Sequence, residues 1–188
     1  MKNLLITILF ISSFSTSAQK EGQIFCEGDE TETYFPSIDS KKYIVWGNTF
    51  YVEKLVGKKK LNNKTYKEFT QTWESGHVAY LYLREHDGII FQFEECCSDD
   101  TIRIPKQPKN GLTWKSADGL SSYEIITLKG KLKTPICTYK NLLVLKSIFE
   151  NGTFTFYYQK GYGYIGAVQN KELISFVTPI SPKELLEE

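Results

Sequence analysis

Alternation is the feature that most restricts this chain. In "KYIVW", "NTFYVEKLV", "KTYKEFTQTW", "HVAYLYLRE" and "GIIFQFEE", between residues 42 and 95, apolar and polar residues trade places along short runs. A period of two sorts side chains onto the two faces of an extended strand, whereas an amphipathic helix needs a period near 3.6. The runs are separated by "GN" at 47–48, "NN" at 62–63, "SG" at 75–76 and "DG" at 87–88, which supply turn chemistry. The style continues through "IRIP", "TWKS", "SSYEIITLKG", "KNLLVLKSIF", "TFTFYYQK", "GYIGAV" and "ELISFV", with "NG" at 110–111 and 151–152. Twelve Tyr, 12 Phe and three Trp suit such strands.

The second half repeats landmarks of the first in the same order. Phe35-Pro36 matches Ile104-Pro105, and Trp46 matches Trp114. Thr65-Tyr66-Lys67 recurs as Thr138-Tyr139-Lys140, and "YLYLREHDGII" from Tyr80 matches "TFYYQKGYGYI" from Thr155, so that Gly88 falls on Gly163. Four ordered landmarks with a drifting offset indicate a duplication whose loops have changed length. The sequence therefore predicts an all-β domain at 34–180, with halves 34–103 and 104–180. Two antiparallel β-meanders would form a strongly curved sheet or a barrel-like body. Both tryptophans should anchor buried faces, and both glycines should sit in turns of positive φ. Aromatics on both faces of "YLYL" and "FTFYY" suit a sheet covered on both sides. They also suit a barrel interior that holds either a packed core, the default, or an apolar ligand.

The ends carry other signals. Met1-Lys2-Asn3, the apolar run Leu4–Ile11, and Thr16 and Ala18 before Gln19 have the layout of a signal peptide over 1–18. The run is too short for a stable membrane span, so no span is expected after cleavage. A loose arm at 19–33 would follow. At 181–188, Ser181, Pro182 and Glu184 are placed to cap a short helix, with a frayed tail as the alternative. Charge is balanced, 23 Lys and Arg against 22 Asp and Glu, which leaves no basic stripe for nucleic acid.

The order "YFP…K-Y-x-x-W", "I-x-I-P…G-L-T-W", then Thr134-Pro135, Tyr139, Asn141 and Tyr157-Tyr158 before Gly161 and Gly163, resembles a loose group of uncharacterised exported β-rich proteins of Gram-negative bacteria. The resemblance implies export and a β architecture, and no particular activity. This chain departs from that pattern with Leu142 where a cysteine is often found, and with the Cys96-Cys97 pair.

Four cysteines, Cys26, Cys96, Cys97 and Cys137, are an even set in a chain read as exported, which favours disulfides. Neighbours on an extended strand point to opposite faces, and a vicinal bridge departs from ordinary geometry. Two connectivities are then expected: Cys26–Cys96 with Cys97–Cys137, or Cys26–Cys97 with Cys96–Cys137. A metal site made from Cys96, Cys97, Glu94, Glu95, Asp99 and Asp100 is the competing reading, and its ligand spacing does not converge.

No hydrolase, metalloprotease or nucleotide-binding motif occurs. Glu74 with His77, and Glu85 or Asp87 with His86, are the nearest approach to acid–base pairs, and they fall at turns. No cofactor is expected. The leading expectation is a non-enzymatic binding or accessory domain of the cell envelope, periplasmic or extracellular, with a small apolar molecule or an envelope protein as partner. The alternative is a protein–protein or inhibitor module that presents Tyr158, Tyr162 and Tyr164 around "QKGYGYIG". A metal-binding protein or hydrolase stands third.

Overall fold

The computed structural model describes Cys26, residues 33–36 and residues 41–185. The expected signal peptide, most of the arm and the last three residues lie outside the described residues. Twelve strands follow one another. The first meander comprises β1 (Lys42–Trp46), β2 (Thr49–Leu61), β3 (Lys64–Trp73), β4 (Val78–His86), β5 (Ile89–Gln92) and β6 (Thr101–Ile104). The second comprises β7 (Thr113–Lys115), β8 (Ser122–Lys133), β9 (Thr138–Phe149), β10 (Gly152–Gln159), β11 (Gly163–Gln169) and β12 (Glu172–Thr178). A four-residue helix α1 (Pro182–Leu185) closes the described chain, with Pro182 at its first position.

All twelve strands belong to one antiparallel sheet of order β6-β5-β4-β3-β2-β1-β12-β11-β10-β9-β8-β7. Each meander contributes six consecutive strands, and the sheet curls into a nearly closed barrel. The matched landmarks fall on equivalent strands. Trp46 lies in β1 and Trp114 in β7, Tyr66 in β3 and Tyr139 in β9. Gly88 (φ 74°) occupies the β4–β5 turn, and Gly163 (φ 77°) is the first residue of β11, directly after the β10–β11 turn. Left-handed backbone there costs a glycine nothing.

The inward positions of both halves meet in one core. Phe69, Leu83, Ile90 and Ile104 of the first half pack with Ile125, Leu143 and Leu145 of the second. Phe35 joins them at 7% exposure, so the segment at 33–36 enters the mouth of the barrel. Gly161 N donates to the Thr33 carbonyl at 2.7 Å and fixes that segment to the β10–β11 turn.

Two smaller layers lie on the outside. On the first half Tyr66 is covered by Phe93, 5.7 Å between ring centroids, and its hydroxyl donates to Asp100 at 2.7 Å. On the second half, three register shifts between β8 and β9 bend that hairpin. Its end crosses the outer face of β10 and β11, where Leu132, Tyr139 and Leu142 pack with Tyr162 and Ile165. A Cβ on Gly166 would lie 2.5 Å from the Ser175 carbonyl and 2.9 Å from Leu132, so only glycine admits that crossing.

The disulfides correct both expected connectivities. Cys26 pairs with Cys137, and Cys96 pairs with Cys97. Cys137 sits in the β8–β9 turn, which the bent hairpin carries to Cys26, and the Cys26 carbonyl accepts from Gln159 Nε2 at 3.1 Å. Cys96 and Cys97 lie in the β5–β6 loop at the opposite edge of the sheet order, in a turn where Cys97 N donates to the Glu94 carbonyl at 3.3 Å. The rule that sends neighbours to opposite faces holds for strands, and this pair is not in one.

Candidate functional site

The barrel interior is not completely filled. A cavity of about 340 Å³ lies between the halves, lined on one side by Tyr51, Leu81 and Leu83 and on the other by Phe156, Tyr158 and Tyr164. Strand phase explains most of this lining. Tyr51 and Glu53 share the inward face of β2, and Phe156 and Tyr158 that of β10. Tyr164 is brought opposite Tyr158 by a bulge that skips Ile165, which leaves both rings inside, 6.0 Å apart.

Charged and amide groups also face this space. Lys42, Glu53 and Gln71 are cross-strand partners in a row over β1, β2 and β3. Gln71 Nε2 donates to Glu53 at 3.0 Å, and the Lys42 ammonium donates to the Tyr162 carbonyl. Burial lowers the Lys42 pKa, and the Glu53 carboxylate opposes that shift. From the far side comes Arg103. The ladder between β5 and β6 pairs Ile90 with Ile104 and then Phe91 with Ile102, so Arg103 is the extra residue of a β-bulge. A bulge re-aims one side chain, and this one turns the guanidinium inward beside Ile104. Arg103 Nη1 donates to Gln92 Oε1 at 2.6 Å, and its guanidinium carbon lies 5.7 Å from the Tyr158 ring centre.

Three tyrosines complete the polar lining. Burial raises the hydroxyl pKa of Tyr51, Tyr158 and Tyr164, which keeps all three neutral and able to donate. The Tyr164 hydroxyl lies near that of Ser175, yet neither completes a hydrogen bond of good geometry. A second cavity, about 600 Å³, opens at the mouth and shares Tyr34, Ile90 and Ile104 with the inner one.

The residues expected to form an exposed surface do not form one. Tyr158 is 4% exposed and points into the barrel, Tyr164 faces the cavity, and Tyr162 is 9% exposed in the outer apolar layer. The turn that carries them is covered by the 33–36 segment. His77 and His86 are exposed at opposite ends of β4 and do not converge. Among the described residues no three His, Cys, Asp or Glu side chains are grouped to hold a metal. Glu94 receives the Gln92 amide at 3.2 Å, and Asp100 is tied to Arg84 of β4 and Lys64 of β3, so these two carboxylates hold the loop and fasten it to the sheet.

Sequence reasoning missed Lys42, Glu53 and Arg103. The first two carried a signal, because Lys42 shares a phase with Ile44 and Trp46, and Glu53 shares one with Tyr51 and Leu55. Arg103 carried none, since strict alternation in "TIRIP" sends it outward from Ile102 and Ile104 alike. Comparison with protein-family models, curated proteins and solved structures found no match to this chain.

Proposed function

We propose that this chain is an exported, non-enzymatic binding domain of the cell envelope whose barrel interior holds a small molecule. The carrying observation is the cavity of about 340 Å³, whose lining mixes aromatic rings with inward-facing polar groups. A core built only for stability closes its voids, because interiors are close-packed and orphaned polar groups are costly. Ligand sites, by contrast, are concave, largely apolar and marked by a few placed polar groups. Export is supported by the N-terminal sequence pattern and by cysteines that are all paired among the described residues.

Native mass spectrometry of folded protein purified from its own host tests this reading. The expected result is a bound mass that is released on unfolding and missing from the Leu81→Trp variant, whose indole would fill the cavity. Protein that carries no ligand, and no affinity for any small molecule that Leu81→Trp removes, would leave the domain as a scaffold.

A further inference from the structure

We propose that the interior site takes a small molecule bearing a single carboxylate, which Arg103 grips while the aromatic wall receives its apolar body. This rests on the reading of the interior as a binding site. The argument begins with charge. Lys42 and Glu53 face each other across β1 and β2 and offset one another. Glu94 stands behind Gln92, whose amide lies between it and the guanidinium; burial raises its pKa and the Arg103 charge opposes that rise, so it acts on Arg103 only at one remove. Arg103 is half-buried and lines the cavity. Among the described residues no carboxylate forms an ion pair with it. A guanidinium has five N–H donors and cannot lose its charge in a protein. The protein engages this one through Gln92 and Tyr158, and the same side chain lines the cavity, where further donors of the fork can meet an occupant.

A half-buried cation without a direct ion-pair partner is costly to cover, and a purely apolar occupant would leave that cost standing. A carboxylate removes it, because its two oxygens match the planar fork in a bidentate pair. One negative charge would give Arg103 the direct ion pair it lacks among the described residues, whereas a doubly charged group would also meet Glu53. The rest of the ligand lies against Tyr158, Tyr164 and Phe156. At the mouth, Lys106 and Lys129 line the outer cavity together with Glu85.

The test is isothermal titration of the whole domain with matched pairs, 3-phenylpropionate against 3-phenylpropionamide and octanoate against octanamide. Each acid is expected to bind roughly 10- to 100-fold more tightly than its amide, the range of a charge-assisted hydrogen-bond pair. Arg103→Gln should erase that preference while keeping the affinity for the amide, and Arg103→Lys should restore part of it. The acid-to-amide ratio of the unmodified protein needs no variant to fold. Equal binding of acid and amide, abolished by Leu81→Trp, would overturn the carboxylate assignment and leave interior binding standing. No binding of either member at millimolar concentration would overturn both.

Discussion

The two halves share their landmarks and differ in how they are finished. They meet twice, each time through the first strand of one meander and the last strand of the other. At β1–β12 four residue pairs stand in register, from Tyr43 with Thr178 to Trp46 with Ser175. At β6–β7 the described residues show no ladder. Trp114 Nε1 donates to the Ile102 carbonyl at 2.7 Å, and Ala117 N donates to Thr101 Oγ1 at 3.0 Å. The cause is local. β6 spans only Thr101–Ile104, gives one residue to the bulge at Arg103, and runs into Pro105, which has no N–H to donate. Duplication alone would zip both junctions. The half-open one lies where Arg103 leaves the ladder for the cavity, so the departure from symmetry coincides with the candidate site.

The outer layers differ as sharply, and removing each disulfide sharpens the contrast most. Cys26–Cys137 spans 111 residues and straps the apolar layer around Tyr139. The chain-entropy model and native examples put such a bridge at about 2–5 kcal/mol. Cys96–Cys97 joins neighbours, closes almost no loop, and should contribute only about 1 kcal/mol by the same model. Urea unfolding of Cys26→Ser/Cys137→Ser against Cys96→Ser/Cys97→Ser measures both. Similar losses from the two double variants would break the distinction between a strapped half and an unstrapped one.

In place of a strap the first half has a charged clasp. The Asp100 carboxylate, 3% exposed, accepts from Tyr66 at 2.7 Å and from Arg84 Nε at 2.8 Å, with Lys64 at 3.3 Å. Burial alone would raise its pKa, but those three donors outweigh burial and hold it below the ordinary value. The same contacts leave the Tyr66 hydroxyl, already desolvated, pushed up to about 12. A carboxyl whose folded pKa is depressed stabilises the fold above its unfolded value near 3.9, and that contribution disappears as pH falls through the lower folded value. Asp100→Asn should therefore cost about 2–3 kcal/mol at pH 7, since it leaves half-buried Arg84 without its counter-ion. The gap between variant and parent should narrow as pH falls below the ordinary carboxylate value and on through the lower folded one. Unfolding curves from pH 2 to 7 test this, and a gap independent of pH would remove the clasp from the comparison.

What could be read in advance divides along the same line. Trp46 and Trp114, the Thr-Tyr-Lys triplets, and Gly88 and Gly163 announced equivalent strands because turn chemistry and a two-residue period are local properties. Arg103 and Tyr164 could not be assigned a face, because a single bulged residue shifts the phase and leaves no mark in composition. Cysteine pairing depended on the bend of the β8–β9 hairpin, a consequence of register shifts that no short window contains. The aromatic turn at Tyr162 looked exposed because turns usually are. The segment that covers it comes from residues 33–36, more than a hundred positions away.

The smallest effect concerns the stitched junction itself. Trp114→Phe keeps the ring against Tyr123 but takes the donor from the Ile102 carbonyl, for an expected loss of about 1 kcal/mol. Amide hydrogen exchange should report it locally. Strands β6 and β7 should already exchange ahead of β1 and β12 in the parent protein, and the variant should widen that difference while β1–β12 stays protected. Adding 3-phenylpropionate should act in the opposite sense, because a ligand held by Arg103 braces the strand that carries Ile102 and Ile104. Equal protection at both junctions would mean that the two stitches suffice as a ladder. Ligand-induced protection confined to β1 and β12 would place the binding contact on Lys42 rather than on Arg103.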